Sequence, residues 1–224
     1  MEVTEKPLEI PMKKGQEKLD ERLNMLCDGV FAIAMTLLVL DIKLDLQGDN
    51  INAALGAFSD KFIIYIISFF VIAGYWNEHR QLMKMVRRMN APFIRFTFLF
   101  LAFVTFFPIT FSMLMDAGQY VQIITIYMLV MVGCGLSISL LWWYASGQHR
   151  LIDADHDEAA INERIILGLI TPVIACVSLL LIPLFPGHPQ RILYVLILSP
   201  VVRRIIHALY EHRQKQRVEA KQAE

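Results

Sequence analysis

The chain has 224 residues, of which 56% are hydrophobic and 19% charged, and its mean hydropathy is +0.49. Its formal net charge is zero, which argues against nucleic acid and against a strongly acidic molecule as a partner. The cysteines lie far apart, at Cys27, Cys134 and Cys176, so neither a disulfide framework nor a zinc ribbon is indicated. This composition favours a membrane protein over a soluble domain.

Six apolar blocks are long enough to cross a bilayer, whose hydrocarbon core of about 30 Å requires roughly 20 residues of helix. In chain order they cover about 26–46, 60–76, 93–115, 119–144, 163–184 and 190–209. The sequence therefore predicts an all-α, polytopic membrane protein with six transmembrane helices. It divides into an N-terminal segment at 1–21, the helical domain at 22–210 and a basic tail at 211–224.

The connections between the blocks differ in charge, and this difference predicts the orientation. Lysine and arginine concentrate in residues 1–22, in the connection 77–90 and in the tail that follows the last block. The alternating connections 46–60, 116–119 and 186–190 contain neither residue. Because positively charged segments stay in the cytoplasm, we expect both termini, the connection 77–90 and the loop 147–163 to be cytoplasmic.

The polar residues form no recognisable enzyme or metal signature. The acidic loop 147–164 does not fit a calcium-binding EF-hand, because Glu158 and Arg164 occupy the positions that need glycine and a carboxylate. A solvated loop is the favoured interpretation. No serine-hydrolase, zinc-protease or phosphate-loop motif occurs, and the T-V-G-Y-G filter of ordinary potassium channels is absent. The sequence predicts neither an enzyme nor a bound metal.

The first block carries a helical stripe that acidic residues bracket. Asp28 precedes the stripe and Asp41 follows it. At 100° per residue the following positions share one face: Gly29, Ile33, Thr36, Leu37 and Leu40. Such a stripe usually packs against another helix. Acidic groups on both sides of an apolar constriction would instead concentrate cations at the ends of a narrow passage. A passage of that kind would require several copies of the first helix around a symmetry axis.

Trp76 and His79 lie on neighbouring positions near the cytoplasmic end of the second block. One interpretation is an interfacial aromatic residue beside a solvated imidazole, which is common at a membrane edge. The other is a polar network that joins this end to Arg22 and Asp28. The residues alone favour the first interpretation.

The segment Arg22–Ile42 reads R-x-x-x-L-C-D-x-x-x-A-I-x-x-T-L-L-x-x-x-I. It resembles the signature R-x-x-x-F-S-D-x-x-x-A-I-x-x-T-L-L of the lysosomal potassium channel family (the transmembrane protein 175 family). Seven of the nine fixed positions match, and the W-x-x-H of the second block follows. Leu26 replaces the phenylalanine of the signature and Cys27 replaces its serine. With a single set of six spans, the chain is similar to the prokaryotic members, which are homotetramers.

This resemblance implies a homotetrameric, potassium-permeable cation channel in the inner membrane of a prokaryote, with the first helix of each subunit lining a central pore. Gate and selectivity element would be apolar side chains, with Ile33 at the constriction and Thr36, Leu37 and Leu40 following it. A polar network at the cytoplasmic end would comprise Arg22, Cys27, Asp28, Trp76 and His79. The expected partners are further copies of the chain and membrane lipid. Potassium would be the permeant ion, with no cofactor.

Two other functions remain open at this stage. A proton-conducting or proton-coupled membrane protein is one, although the stripe itself carries no titratable group. A membrane scaffold or sensor without transport is the other.

Overall fold

A computed structural model describes residues 14–43, 51–147, 151–152, 158–185 and 189–222 of the chain. Helix α1 spans Lys14–Leu37 and tightens into a 3-10 segment at Leu38–Asp41. The next three helices are α2 at Ile51–Met85, α3 at Ala91–Ala117 and α4 at Val121–Ser146. Helix α5 spans Glu158–Leu181. A 3-10 segment at Ile182–Leu184 follows it, and another at Pro189–Ile197 leads into α6 at Leu198–Gln222.

The six predicted spans correspond to six helices that are long and apolar enough to cross a membrane. This confirms the all-α, multi-pass architecture. The predicted bounds of the second span were too short, since α2 covers 35 residues and takes in most of the connections predicted at 46–60 and 77–90. Its polar end is rich in good helix formers such as Glu, Gln, Lys and Met, so the helix continues past the apolar block. Similarly, the boundaries predicted after residues 21 and 210 fall inside α1 and α6.

Helices α3, α4 and α5 form the packed centre of the protomer. Two glycines of α4 allow close contact with its neighbours. A Cβ atom at Gly135 would collide with Pro172 of α5, and one at Gly133 would collide with Phe103 of α3. Helix α2 is attached to α4 by polar contacts, because the Tyr75 hydroxyl donates to the carbonyl oxygen of Met131 at 2.8 Å. Helices α1 and α2 pack against this centre, α1 on α3 and α2 on α4.

The segments predicted to be cytoplasmic meet at one end of the bundle. The backbone of Val86 pairs with that of Ile152, and the Arg87 N–H donates to the Leu151 carbonyl oxygen at 3.0 Å. The Met89 N–H donates to Asp20 near the start of α1. The start of α1, the connection after α2 and part of the loop after α4 therefore lie together at this end.

Candidate functional site

Helix α1 has a buried face and an outward face, and its sequence spacing determines both. The buried side chains recur every three or four residues: Leu23, Cys27, Phe31, Ala34 and Leu38. The predicted stripe forms part of the exposed surface: Gly29, Ile33, Thr36, Leu37 and Leu40. The protomer thus uses one side of α1 for its own packing and leaves the stripe uncovered.

The apolar members of the stripe are strongly exposed. Ile33 is 61% accessible, Leu37 40% and Leu40 64%. The change to 3-10 geometry after Leu37 means that the α-helical spacing used to place Leu40 does not hold there, although Leu40 still faces outward. Val39, which the α-helical spacing would place away from the stripe, is also 49% exposed. The side opposite the stripe is marked by Phe31 and Leu38 instead, both fully buried.

The hydroxyl group of Thr36 is the one polar side-chain group of the stripe. It donates to the backbone of its own helix, at 2.9 Å from the Ala32 carbonyl oxygen and 3.0 Å from that of Ile33. With its proton turned toward the helix, the oxygen presents its lone pairs to the outward side. A group in this arrangement can accept from water or contact a cation.

Asp28 is exposed and is attached to α2 by Trp76, whose indole N–H donates to the Asp28 Oδ1 atom at 2.8 Å. Arg80 lies one turn further along α2, with its guanidinium carbon 5.2 Å from the centre of the Trp76 ring. Sequence reasoning missed Arg80, although its spacing of four residues from Trp76 is the signal that identifies neighbours on a helix. The acidic side chain before the stripe is therefore held by a tryptophan that also contacts a cationic side chain.

Two members of the predicted cytoplasmic network lie elsewhere. In the part of the chain that the structure describes, Arg22 is exposed and forms no ion pair with Asp28. Six residues of helix separate the two by about 120° around the axis and about 9 Å along it, which explains why they do not meet. Cys27 is fully buried on the packing face, where it shares the spacing of Phe31. Its thiol thus faces the bundle interior and not the polar cluster at Asp28.

His79 contacts α1 through its ring. It is 2% exposed, and its ring centre lies 5.6 Å from that of Phe100 and 6.2 Å from that of Phe31. The Nε2 atom is buried without a hydrogen-bond partner among the described residues. The structure therefore separates the roles of the W-x-x-H pair. Trp76 binds the Asp28 carboxylate of α1, while His79 packs against Phe31, a buried aromatic side chain of the same helix.

At the other end of the stripe, Asp41 is attached to α3. The Ser112 hydroxyl donates to Asp41 Oδ1 at 2.9 Å. Ser112 lies 71 residues from Asp41 in the chain, and no local sequence pattern links the two. Both acidic residues that bracket the stripe are consequently tied to neighbouring helices of the same protomer.

The described residues contain no group of three or more His, Cys, Asp and Glu side chains that could hold a metal ion. The acidic residues 153–157, for which the sequence analysis favoured a solvated loop, lie outside the described residues.

Comparison with known proteins identifies a family that the first half of this chain matches. Residues 22–108 match the family described as the endosomal/lysosomal potassium channel TMEM175. The match begins at Arg22, the first residue of the signature, and ends inside α3. It thus includes the whole stripe and the α2 residues that contact α1.

Individual relatives are found among bacteria and mammals. A potassium channel of Streptomyces collinus is 35% identical over 147 residues, which cover 62% of this chain and 70% of that protein. The endosomal/lysosomal proton channel TMEM175 of Rattus norvegicus is 36% identical over 102 residues, covering 41% of this chain and 20% of that protein. The crystal structure of a lysosomal potassium-selective channel TMEM175 homolog from Chamaesiphon minutus matches with a TM-score of 0.63. The match covers 88% of this chain and 98% of that chain at 21% identity, and it shows a common fold.

Proposed function

Because the chain belongs to the TMEM175 family, a family of ion channels and not of enzymes, we propose that it conducts potassium through a pore lined by α1. The bacterial relative that is 35% identical over 147 residues is a potassium channel, and the similarity covers 70% of that protein. Six membrane-spanning helices provide the multi-pass architecture that such a channel needs.

The observation that carries this proposal is the outward stripe of α1. Its apolar side chains, Ile33, Leu37 and Leu40, are left uncovered by a protomer that buries the opposite face of the same helix. A hydroxyl group with outward lone pairs lies among them at Thr36. Asp28 and Asp41 flank the stripe and are each held by a neighbouring helix. An apolar passage with acidic ends is the arrangement expected of a cation pore with a hydrophobic gate.

Assembly as a homotetramer would turn this stripe into a pore. Most oligomers of identical soluble chains close by rotational symmetry, and in a membrane ring of the same kind the same face of each copy would line the axis. The packing of Phe31 and Leu38 into their own bundle leaves the stripe as the face of α1 that can turn toward such an axis. The apolar outer surfaces of the remaining helices would contact lipid or the adjacent subunit.

Ile33 would form the narrowest ring of this pore. A narrow ring of apolar side chains loses its water, and a cation that must shed hydration there meets a high barrier. Such a gate opens when the ring widens enough to stay wet. Leu37 and Leu40 would extend the apolar section outward, and the Thr36 oxygen would be the polar atom through which the stripe discriminates between potassium and sodium.

Asp28 would lie in the cytoplasmic vestibule, where it raises the local concentration of cations. Only the Oδ1 atom of its carboxylate accepts from Trp76, which leaves Oδ2 for water or a cation, and the side chain is exposed to solvent. A charged group at this depth is tolerated because water and the indole N–H both solvate it. The same tie fixes the position of α1 relative to α2.

The orientation follows the Lys/Arg distribution, with the end that contains Lys84 in the cytoplasm of a prokaryotic inner membrane. Lys84 and Gln119 are both exposed. Lys84 lies in the last turn of α2, and Gln119 lies in the turn between α3 and α4, at the opposite end of the bundle. In a background without Cys176, whose side chain is exposed, a membrane-impermeant thiol reagent outside intact cells should label Gln119→Cys and spare Lys84→Cys. The reverse pattern would overturn the orientation.

Potassium flux into liposomes tests the function. The purified, reconstituted protein should carry a potassium flux that exceeds that of protein-free liposomes, and its cross-linked mass should correspond to a tetramer. Absence of flux from correctly inserted tetramers would favour a scaffold or sensor.

A second function, proton conduction, is favoured by the mammalian relative, which is described as a proton channel. The stripe has no titratable side chain, so protons would have to pass it along a chain of water molecules. Replacing potassium by an impermeant cation under a pH gradient distinguishes the two. A proton channel would retain its current, whereas a potassium channel would lose it.

A further inference from the structure

A buried ion pair joins α2 to α6 at the same end of the bundle as Asp28. The Arg203 Nη1 atom of α6 lies 3.0 Å from Glu78 Oε1 of α2, and Glu78 is only 4% exposed. The second guanidinium nitrogen of Arg203 donates to the Thr171 hydroxyl of α5 at 3.3 Å, and Thr171 is within 2.8 Å of the Ser199 hydroxyl. Arg203 is therefore the centre of a contact that includes α2, α5 and α6.

Glu78 depends on this contact. Its Oε2 atom is buried and accepts no hydrogen bond from the described residues, so the Glu78 carboxylate relies on the paired charge of Arg203. A buried carboxylate is costly without a paired cation. Movement of Arg203 would consequently be transmitted to the backbone of α2 at Glu78.

The same turn of α2 carries the contacts with the pore helix. Trp76, two residues before Glu78, donates to Asp28. His79, the residue that follows Glu78, lies against Phe31. Since residues two apart on a helix point to nearly opposite sides, this single turn contacts α6 on one side and α1 on the other.

A cavity of about 440 Å³ separates α2 from α6 next to the ion pair. Its lining includes Ile66, Phe70 and Gly74 of α2 together with Pro200 and Arg203 of α6. Side-chain packing does not fill this space, so the ion pair bridges the two helices where they are otherwise apart.

We propose that the Glu78–Arg203 pair is a positioning contact that sets the open probability of the pore, by fixing the turn of α2 on which Asp28 and Phe31 of α1 rest. This inference relies on the proposed function, because it takes α1 as the pore helix. Displacement of the cytoplasmic half of α6 would then open or close the channel through α2. Residues that choose between ions lie on the stripe and are not part of this contact.

A second polar contact of α6, between His207 and Glu163, provides the control. His207 Nδ1 of α6 lies 2.6 Å from Glu163 Oε1 of α5, and Glu163 is 8% exposed. This pair also holds α6 near the same end, but neither of its members lies on α2. Breaking it should loosen α6 without releasing the turn at Trp76 and His79.

The test compares Glu78→Gln, the apolar double variant Glu78→Leu/Arg203→Met and the control His207→Gln. The double variant removes both charges together, so that no unpaired charge remains if Glu78→Gln folds poorly. We expect potassium flux per assembled tetramer to change by about threefold or more in both Glu78 variants, as for other couplings between distant sites. The preference for potassium over sodium should stay unchanged, and His207→Gln should retain the flux of the parent.

Hydrogen–deuterium exchange gives a second measurement that does not depend on conduction. Amides of α1 between Asp28 and Phe31 should exchange faster in Glu78→Gln and in the double variant, and at the rate of the parent in His207→Gln. Unchanged α1 exchange in both Glu78 variants would overturn the inference, whether or not the parent conducts. Equal changes in flux and exchange in all three variants would also overturn it, because the pair would then contribute only general stability. A parent that lacks flux but shows the expected exchange pattern would overturn the proposed function and leave the coupling intact.

Discussion

The two faces of α1 are both apolar, yet the protomer treats them differently. The buried face places Cys27, Phe31 and Leu38 at zero exposure against the other helices. The outward face leaves Ile33 and Leu40 more than 60% exposed. Hydrophobicity alone does not distinguish these faces, because either could contact lipid or protein. What distinguishes them is the set of neighbours that the fold provides, and the face without neighbours is the one available for function.

The largest effect on stability is expected on the buried face. Phe31→Ala removes a fully buried ring that contacts Phe100 and His79, and truncation of this kind costs about 3–5 kcal/mol. Thermal unfolding in detergent should show a large loss of stability. Ile33→Ala, two residues away on the outward face, should unfold close to the parent. Equal losses at the two positions would mean that the outward face is packed as tightly as the buried one.

The tie between Asp28 and Trp76 should have an intermediate effect. Trp76→Phe keeps an aromatic ring but deletes the indole N–H that donates to Asp28, and a hydrogen bond to a charged group contributes about 1.5–3 kcal/mol. We expect lower thermal stability and an altered open probability.

Asp28→Asn serves as the companion variant for this tie, because an amide oxygen can still accept from Trp76. It should retain the stability of the parent and lose part of the cation flux. If Trp76→Phe and Asp28→Asn had the same effect on stability, the charge and not the hydrogen bond would be what attaches α1 to α2.

A smaller effect is expected at Thr36. Its hydroxyl donates to its own helix, so Thr36→Ala should barely change stability. Deleting the outward oxygen should lower the preference for potassium over sodium by about two- to threefold, less than 1 kcal/mol of discrimination. Bi-ionic potential measurements would detect this change, and Thr36→Ser should restore the parental preference. A loss that serine does not restore would assign the effect to the threonine methyl group.

The smallest effect is expected at Gly29. A Cβ atom there would meet nothing within 4 Å in the protomer, and alanine favours a helix over glycine by about 1 kcal/mol. Gly29→Ala should leave flux unchanged and raise stability slightly. Gly135→Ala, which would collide with Pro172, should lower stability clearly in the same assay. Loss of flux in Gly29→Ala without unfolding would mean that the added methyl group narrows the pore or meets another subunit in the assembly.

The sequence predicted the helices and the stripe because both depend on local periodicity. Six apolar blocks and the spacing of Ile33, Thr36 and Leu37 are properties of consecutive residues. The long polar end of α2 was underestimated, since hydropathy reports where the bilayer ends and not where a helix ends. Contacts between distant segments, such as Ser112 with Asp41 and Arg203 with Glu78, depend on how the helices pack. The resemblance placed Arg22 and Asp28 in one polar network, and within the protomer the helix geometry keeps the two side chains apart.

Potassium flux through Ile33→Asn is the most direct test that the outward face lines the pore. Asparagine replaces the aliphatic side chain by a smaller one that forms hydrogen bonds, so the ring at this position should stay wet, and a barrier lowered by about 1.4 kcal/mol would raise flux about tenfold. Val39→Asn introduces the same amide at a position of the same helix that is 49% exposed but lies outside the stripe. At matched tetramer content, a flux that increases in Ile33→Asn and remains at the parental level in Val39→Asn is the predicted result. Equal flux in both variants would contradict the account and place the pore away from this face of α1.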